Sequence, residues 1–213
     1  MRKKPINIVW LKRDLRTQDH QGLAYAEKAG IDYRIVYFFE PSIISYPDTS
    51  ERHLQFIHHS IAAINKTLAS FNRSVDVFYA SALTIFEYLS SNFDIQHIYS
   101  YRESGTKLTW QRDKNVAAFT KKNAIYWKEF QRDGILRGIK NRIDWSKHWH
   151  AKMHSPVINN EYSSTTQKAL IHPFSLPEKL ELKLKEYSKH YQPAGESNAW
   201  RYLKSFTQKR GFN

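Results

Sequence analysis

The 213-residue sequence contains no cysteine and only seven glycines. The lack of cysteine excludes disulfide bonds and thiolate chemistry, and it favours a reducing, cytoplasmic setting. The few glycines form neither G-x-G-x-x-G nor G-x-x-x-x-G-K-[ST], the loops that hold phosphates in dehydrogenases and P-loop enzymes. Both enzyme classes are therefore disfavoured.

Long apolar runs are also missing. A membrane-spanning helix needs about 20 apolar residues in succession, and the first apolar run of this chain is interrupted at Lys12, Arg13 and Asp14. We therefore expect neither a secretory signal nor contact with a membrane.

Acidic residues are in the minority. The chain has 33 Lys and Arg against 20 Asp and Glu, a net charge of +13. Residues 131–213 carry 15 basic and 7 acidic residues, so the shorter part of the chain holds most of the excess. A basic surface favours a polyanionic partner, nucleic acid first and an anionic cofactor second, although solubility alone would also account for it.

Strand-like and helix-like segments alternate from residue 5 to about residue 130. The predicted strands cover residues 6–11, 33–39, 75–79, 95–101 and 124–130. The clearest helix covers residues 51–70, where apolar residues recur at spacings of three and four. The alternation predicts an α/β fold, a doubly wound five-stranded parallel sheet of Rossmann-like form with helices on both faces.

The composition changes after residue 131. Aromatic residues such as Trp145 and Trp149 are interleaved with cations, a pattern typical of nucleic-acid contacts and also of a linker clamped onto a domain. These cations are Arg132, Arg137, Lys140, Arg142 and Lys147. Three nearby histidines (His148, His150 and His154) lack cysteines and sufficient carboxylates around them, so we expect no metal site.

The remainder is predicted as a polar loop over 158–176 and helices over 178–190 and 197–209. The last helix has an apolar stripe but no following elements to cover it, so we expect an incomplete helical segment.

The most distinctive segment is Trp10–Arg16, which follows the first predicted strand and is dense in charge. Ligands of open α/β sheets bind beyond the carboxyl ends of the strands, and the start of a helix favours anions. Arg13 or Lys12 would then add charged hydrogen bonds, and pairing of Asp14 with Arg16 would fix the turn. The alternative interpretation is a structural ion pair on a surface loop.

Two further strand ends are expected at the same edge. Phe38 and Glu40 follow the second strand, and Tyr101 and Glu103 follow the fourth. Aromatic faces beside carboxylates and Arg13 suit a flat heteroaromatic ligand. At least one of the two adjacent phenylalanines at 38 and 39 is expected in the core.

Several of these sequence segments, in this order, resemble conserved segments of the cryptochrome and DNA photolyase family. The segment Trp10–Arg16 with Asp19 and Leu23 is similar to the family opening W-x-R-x-D-L-R and D-N-x-x-L, with His20 in place of the usual Asn. Weaker similarities lie at 36–41, at Arg52, Phe56 and Ile57, at Glu103, Gly105 and Asp113, and at Gly195, Glu196, Ala199, Leu203 and Phe206.

The resemblance implies three parts: an N-terminal α/β domain (1–130), an interdomain linker (131–190) and the start of a truncated FAD-binding helical domain (191–213). The first part can hold a light-harvesting antenna such as a folate, a deazaflavin or a flavin. The family's antenna contacts correspond to Arg13, Asp14, Phe38, Glu40, Tyr101 and Glu103. Tyr101 stands near where deazaflavin-binding relatives tend to have a carboxylate.

The function implied by the resemblance is that of the N-terminal part of a DNA photolyase, whose whole protein uses blue light and FAD to split pyrimidine dimers in damaged DNA. The present segment would supply antenna and scaffold, contain no catalytic residue and be inactive alone. Two alternatives stay open: a cryptochrome that signals without repair, and an independent α/β nucleotide-binding module with a basic tail.

Overall fold

The computed structural model describes residues 3–136, 138–208 and 210–212, without the side chain of residue 212. Five strands form one sheet: β1 (Pro5–Leu11), β2 (Tyr33–Phe38), β3 (Val75–Phe78), β4 (Asp94–Tyr101) and β5 (Tyr126–Phe130). Their order is β3-β2-β1-β4-β5, and every neighbouring pair is parallel. The predicted doubly wound α/β fold is therefore confirmed.

Eight α-helices accompany the sheet in the described residues. They are α1 (Gln21–Lys28), α2 (Pro41–Ile44), α3 (Glu51–Leu68), α4 (Ala82–Asn92), α5 (Lys107–Lys122), α6 (Trp145–Met153), α7 (Glu178–Lys185) and α8 (Glu196–Gln208). None of the described helices is both long and apolar enough to cross a lipid bilayer.

The helices cover both faces of the sheet, and the central strand β1 is accordingly apolar on each side. Val9 and Leu11 face α1 and α3, whereas Ile8 and Trp10 face α4 and α5. A strand buried on both faces reads as a continuous apolar run, which is why residues 6–11 do not alternate with polar ones. Helix α7 adds Leu184 to the first of these two cores.

Several element ends differ from the predicted ones. Strand β5 begins at Tyr126 because Ala124 has a left-handed backbone (φ 55°), which separates it from the strand. Helix α7 ends at Lys185, since Glu186 already has an extended backbone. Helix α8 begins at Glu196, one residue earlier than predicted.

Helix α6 was not predicted. Trp145 and Trp149 hold it against the preceding loop: the Trp145 Nε1–H donates to the carbonyl of Gly134 (3.2 Å), and the Trp149 ring covers the same glycine. A Cβ on Gly134 would lie 2.2 Å from Cδ1 of Trp149.

The segment from 158 to 176 has no regular secondary structure and wraps around the α/β sheet. Asn160 binds the backbone of His20 at both its N–H and its carbonyl (2.8 and 3.0 Å). Further along, the Tyr79 N–H donates to the Phe174 carbonyl (2.8 Å), which covers the end of the edge strand β3. The loop thereby brings α7 and α8 back to the carboxyl edge of the sheet.

Candidate functional site

A cavity of about 980 Å³ lies at the carboxyl ends of β1, β2 and β4, bounded by α2, α3 and the beginning of α8. This position is the topological switch point of the sheet, where chain connections leave β1 and β4 in opposite directions. Its walls are mainly apolar: Leu15, Tyr37, Phe38, Phe39, Ile43, Ile44, Leu54, Phe56, Ile57, Trp200 and Leu203.

The turn after β1 is fixed by a buried carboxylate. Asp14 accepts from the backbone N–H of Lys12 (3.0 Å) and contacts Nε2 of His20 (2.7 Å). Nδ1 of His20 accepts from the Leu23 N–H (3.1 Å), so the ring hydrogen lies on Nε2 and is donated to Asp14. Burial alone would raise the pKa of Asp14, but the hydrogen bonds from His20 and Lys12 outweigh it and lower the pKa.

A chain of ion pairs crosses the cavity edge. Nε of Arg13 donates to Glu103 (2.7 Å), and Arg112 donates to Glu103 (2.7 Å), Glu40 (3.1 Å) and Asp113 (2.8 Å). The Arg112 side chain is only 11% exposed, whereas the Arg13 side chain is 55% exposed. Among the residues of these ion pairs, Arg13 is therefore the one that a ligand can reach most easily.

The two glutamates respond differently to Arg112. Burial would raise the pKa of Glu103, but Arg112 and Arg13 lower it below its usual value. Burial raises the pKa of Glu40, and Arg112 and the N–H of Ala82 offset only part of this rise. Glu103 is thus held as a carboxylate by two cations, while Glu40 has one.

Lys12 and Arg112 also lie over the indole ring of Trp10, with Nζ at 4.3 Å and Cζ at 4.9 Å from its centroid. Lys12 is buried and faces Asp113 at 3.3 Å. Burial lowers the pKa of Lys12, and Asp113 opposes that change. Lys12 therefore belongs to the base of the site and does not extend toward solvent.

Five of the six predicted site residues line the cavity: Arg13, Asp14, Phe38, Glu40 and Glu103. Tyr101 does not. Its buried ring packs against His20, and its hydroxyl accepts from the N–H of Gln21 (2.8 Å), so it supports the first turn of α1. The structure thus turns the Tyr101 side chain toward α1 and away from the cavity.

Two expected interactions are corrected by the structure. Asp14 does not pair with Arg16; Asp14 binds His20, and Arg16 binds Asp19 (3.3 Å). Lys12 is not a free cation for an anion, because it is buried against Asp113. In both cases a nearer or more deeply buried partner satisfies the charge.

Sequence reasoning missed two residues of the site. Arg112 was not singled out, although its neighbour Asp113 falls on the buried stripe of α5. Glu196 was assigned only by resemblance; it accepts from the N–H and hydroxyl of Thr17 (both 2.7 Å) and from the N–H of Gln18 (3.1 Å). Glu196 thereby docks the first turn of α8 onto the turn after β1.

The basic segment lies away from this cavity. Lys140, Arg142 and Lys147 are exposed around α6, and Arg137 lies outside the described residues. Within residues 3–136, 138–208 and 210–212, no three metal-ligating side chains converge on one point.

Comparison with known proteins agrees with this architecture. The model of the DNA photolyase family matches residues 7–155. No curated protein matches the sequence. Among solved structures, the chain is similar to an archaeal photolyase from Sulfolobus tokodaii that contains two FAD molecules, with 20% identity and a TM-score of 0.71 over 93% of this chain and 45% of the other.

Two further structures show the same likeness. A cryptochrome from Synechocystis sp. PCC6803 has 16% identity and a TM-score of 0.76 over 99% of this chain and 48% of the other. A class III photolyase from Agrobacterium tumefaciens has 22% identity and a TM-score of 0.70 over 97% and 45%. At these identities the likeness shows the fold, and this chain spans about half the length of the three proteins. Because the family model covers most of the sequence, the chain belongs to the DNA photolyase family.

Proposed function

We propose that the chain forms the N-terminal α/β part of a deoxyribodipyrimidine photolyase, where it binds a light-harvesting chromophore and serves as a scaffold. In the whole protein, FAD bound elsewhere would split pyrimidine dimers of damaged DNA under blue light. The chromophore, when bound, would absorb light and pass the excitation energy to that FAD.

The observation that carries this proposal is the cavity at the switch point of the sheet. A volume of about 980 Å³ lies at the upper end of the range for small-molecule sites, about 300–1,000 Å³. Its apolar walls and few polar groups at one edge suit a flat heteroaromatic ring, which is the kind of molecule that absorbs visible light. The residues present therefore fit a folate, deazaflavin or flavin.

The chain's own residues would have distinct tasks at this site. Phe39 and Leu54 would exclude water from the ring, and Trp200 on α8 would cover it from the side opposite the sheet. Arg13, held by Glu103, would hydrogen-bond to a polar edge of the ligand through the exposed part of its guanidinium. Glu196 would keep α8 in place while the ligand is bound.

The basic charge of the chain supports a polyanionic partner for the whole protein. Two of the three structures described above are photolyases, and one of them contains two FAD molecules. Repair is tested on the full-length protein with FAD and a DNA oligonucleotide that contains one pyrimidine dimer. Conversion of the dimer into two separate pyrimidines under blue light but not in the dark is the expected result.

A cryptochrome receptor is the second candidate, favoured by the similarity to the Synechocystis cryptochrome over 99% of this chain. The same assay separates the two: absence of repair on cyclobutane and (6-4) dimers, together with a reducible flavin, would favour the receptor.

Chromophore binding is tested on the 213-residue chain by fluorescence titration with riboflavin, FMN and methenyltetrahydrofolate. We expect at least one to bind, and Arg13→Ala to weaken that binding about tenfold through loss of one charged hydrogen bond. Arg102→Ala, which removes an exposed cation outside the cavity, is the control. Unchanged binding by Arg13→Ala would remove Arg13 from the site, and no binding of any of the three would refute the antenna role.

A further inference from the structure

Helix α5 carries a line of lysines on the side that faces away from the sheet. Lys107, Lys114 and Lys121 recur every seven residues, which is about two turns of an α-helix, so they lie one above the other. Lys122 stands beside the last of them, and all four side chains are exposed. The buried residues of the helix, among them Val116, lie on the opposite side. These four lysines form the basic face of α5.

The charge of this basic face is not neutralised by neighbouring carboxylates. Among the residues that the structure describes, no carboxylate oxygen lies within 4.0 Å of any of the four lysines. Asp113 is the one acidic residue of α5, and it is buried and paired with Lys12. Helix α4, which packs beside α5, also has one acidic residue, Glu87. Lys3 offsets it, because its Nζ donates to the carbonyl of Ser90 at the end of α4 (2.6 Å).

A row of unpaired lysines complements a polymer that carries a continuous row of phosphates. Double-stranded nucleic acid has one negative charge per about 1.7 Å of its axis. The three aligned lysines are about 10.5 Å apart along α5, so each long side chain can reach a phosphate whatever the register. Ala117 and Ala118 lie between the second and third lysines, so no bulky side chain keeps the phosphates away.

Other polyanions fit this face less well. Single strands bind by stacking their bases on open aromatic rings. Trp110 is 47% exposed on this side of α5, but Nζ of Lys114 lies over its ring at 3.5 Å from the centroid. A helix that binds a lipid surface inserts an apolar side into it, whereas the apolar side of α5 packs on the sheet. The basic face therefore offers contacts to a phosphate backbone and little else.

We propose that the basic face of α5 is a docking surface for the phosphate backbone of double-stranded nucleic acid, which it contacts without regard to sequence or damage. None of the four lysines lines the cavity described above. The surface therefore requires neither a bound chromophore nor a pyrimidine dimer, and it goes beyond the proposed function.

The salt dependence of binding tests this surface. The 213-residue chain is titrated against an undamaged, fluorescein-labelled duplex of about 20 base pairs, by fluorescence anisotropy at salt concentrations from about 0.05 to 0.2 M. Each lysine–phosphate contact contributes about −0.9 to the slope of log K against log salt concentration. Loss of two lysines in Lys114→Gln with Lys121→Gln should therefore reduce the magnitude of the slope by about 1.8, and weaken binding at about 0.05 M salt tenfold or more.

Two matched double variants serve as controls. Lys28→Gln with Lys66→Gln removes two exposed lysines from α1 and α3, which cover the opposite face of the sheet. Its slope should stay within about 0.3 of the original. Lys114→Arg with Lys121→Arg keeps both charges and should keep the slope. Far-UV circular dichroism should show that all the variants are folded like the original chain.

A slope that falls by about 1.8 only in the Lys114→Gln, Lys121→Gln variant supports the proposal. An unchanged slope in that variant, an equal fall in the Lys28→Gln, Lys66→Gln control, or no binding of the duplex overturns it. Tighter binding of a single strand, or of vesicles of phosphatidylcholine and phosphatidylserine, than of the duplex also overturns it. The proposed function is tested by chromophore titration and repair, and its failure would leave these slopes unaffected.

Discussion

Arg112 is the residue on which the charged edge of the cavity depends most, and Arg112→Met tests that dependence. The guanidinium donates to three carboxylates, those of Glu40, Glu103 and Asp113, at 2.7–3.1 Å. Methionine keeps much of the apolar stem of the side chain beside Trp10 and removes the charge. The variant therefore isolates the electrostatic contribution.

The expected loss of folding free energy depends on which hydrogen-bond and ion-pair partners each carboxylate retains in the variant. Glu103 keeps Arg13, and Asp113 keeps Lys12, but Glu40 keeps only the N–H of Ala82. Removing one partner of a buried ion pair costs about 3–5 kcal/mol. Because two of the three carboxylates retain a cation, we expect the lower end, about 3 kcal/mol, which is a large part of the roughly 5–15 kcal/mol that stabilises a typical domain.

Urea unfolding of the 213-residue chain at pH 7, followed by far-UV circular dichroism, measures this loss. With a slope of about 2 kcal/mol per molar urea, the midpoint should fall by about 1.5 M. Arg102→Met removes an exposed cation and should change the free energy of unfolding by less than about 0.5 kcal/mol. A loss below about 1 kcal/mol for Arg112→Met would refute the reasoning.

The pH dependence gives an independent check. Arg112 lowers the folded-state pKa of Glu103 below its ordinary value of 4.5. A carboxyl with a lowered folded pKa stabilises the protein above its unfolded pKa, and this stabilisation is lost as pH falls through the folded value. In Arg112→Met the pKa of Glu103 rises, and so does that of Glu40, whose pKa burial already raises above 4.5. The difference in stability between the original chain and Arg112→Met should therefore be full at pH 7 and shrink as the pH falls, beginning above 4.5.

Three further predictions address other parts of the structure. Glu196→Ala should speed amide hydrogen exchange at Thr17 by at least about tenfold, because its N–H loses a carboxylate acceptor; unchanged exchange would show that α8 is docked by other contacts. Asp14→Asn should cost about 2 kcal/mol at pH 7 and progressively less below about pH 4, since the folded pKa of Asp14 is lowered; urea midpoints across pH measure this, and a constant difference would contradict it. Gly134→Ala should displace the Trp149 ring and cost about 1–3 kcal/mol, and an unaltered near-UV circular dichroism spectrum would rule this out.

The fold was predictable because its signals are local and repeated. Each strand is a short apolar or aromatic run, and α3 shows its buried stripe directly in the spacing of Leu54, Ile61 and Ile64. The errors at element ends came from the backbone conformations of single residues, such as the left-handed one at Ala124. Because alanine rarely adopts this conformation, the sequence gives no signal of it.

The position of the site was also predictable, since the carboxyl ends of parallel strands meet at one edge. That rule places the backbone of a residue but not the neighbours toward which its side chain points. Phe38 and Glu40 line the cavity, whereas Tyr101 continues the row of Tyr99 toward α1. The cavity takes side chains from both faces of the sheet, Phe39 from one and Phe38 from the other, so alternation along β4 does not show whether Tyr101 reaches it.

The ion pairs themselves depend on contacts between distant parts of the chain, such as Glu40 with Arg112 or Thr17 with Glu196, 72 and 179 residues apart. One signal was nevertheless present in the sequence. Asp113 shares the stripe of Thr109 and Val116, so helical spacing puts a carboxylate on a buried face. A buried carboxylate needs hydrogen-bond donors or a cation, and the densest cations of the chain follow β1, so this reasoning directs attention to a contact such as that of Lys12 with Asp113.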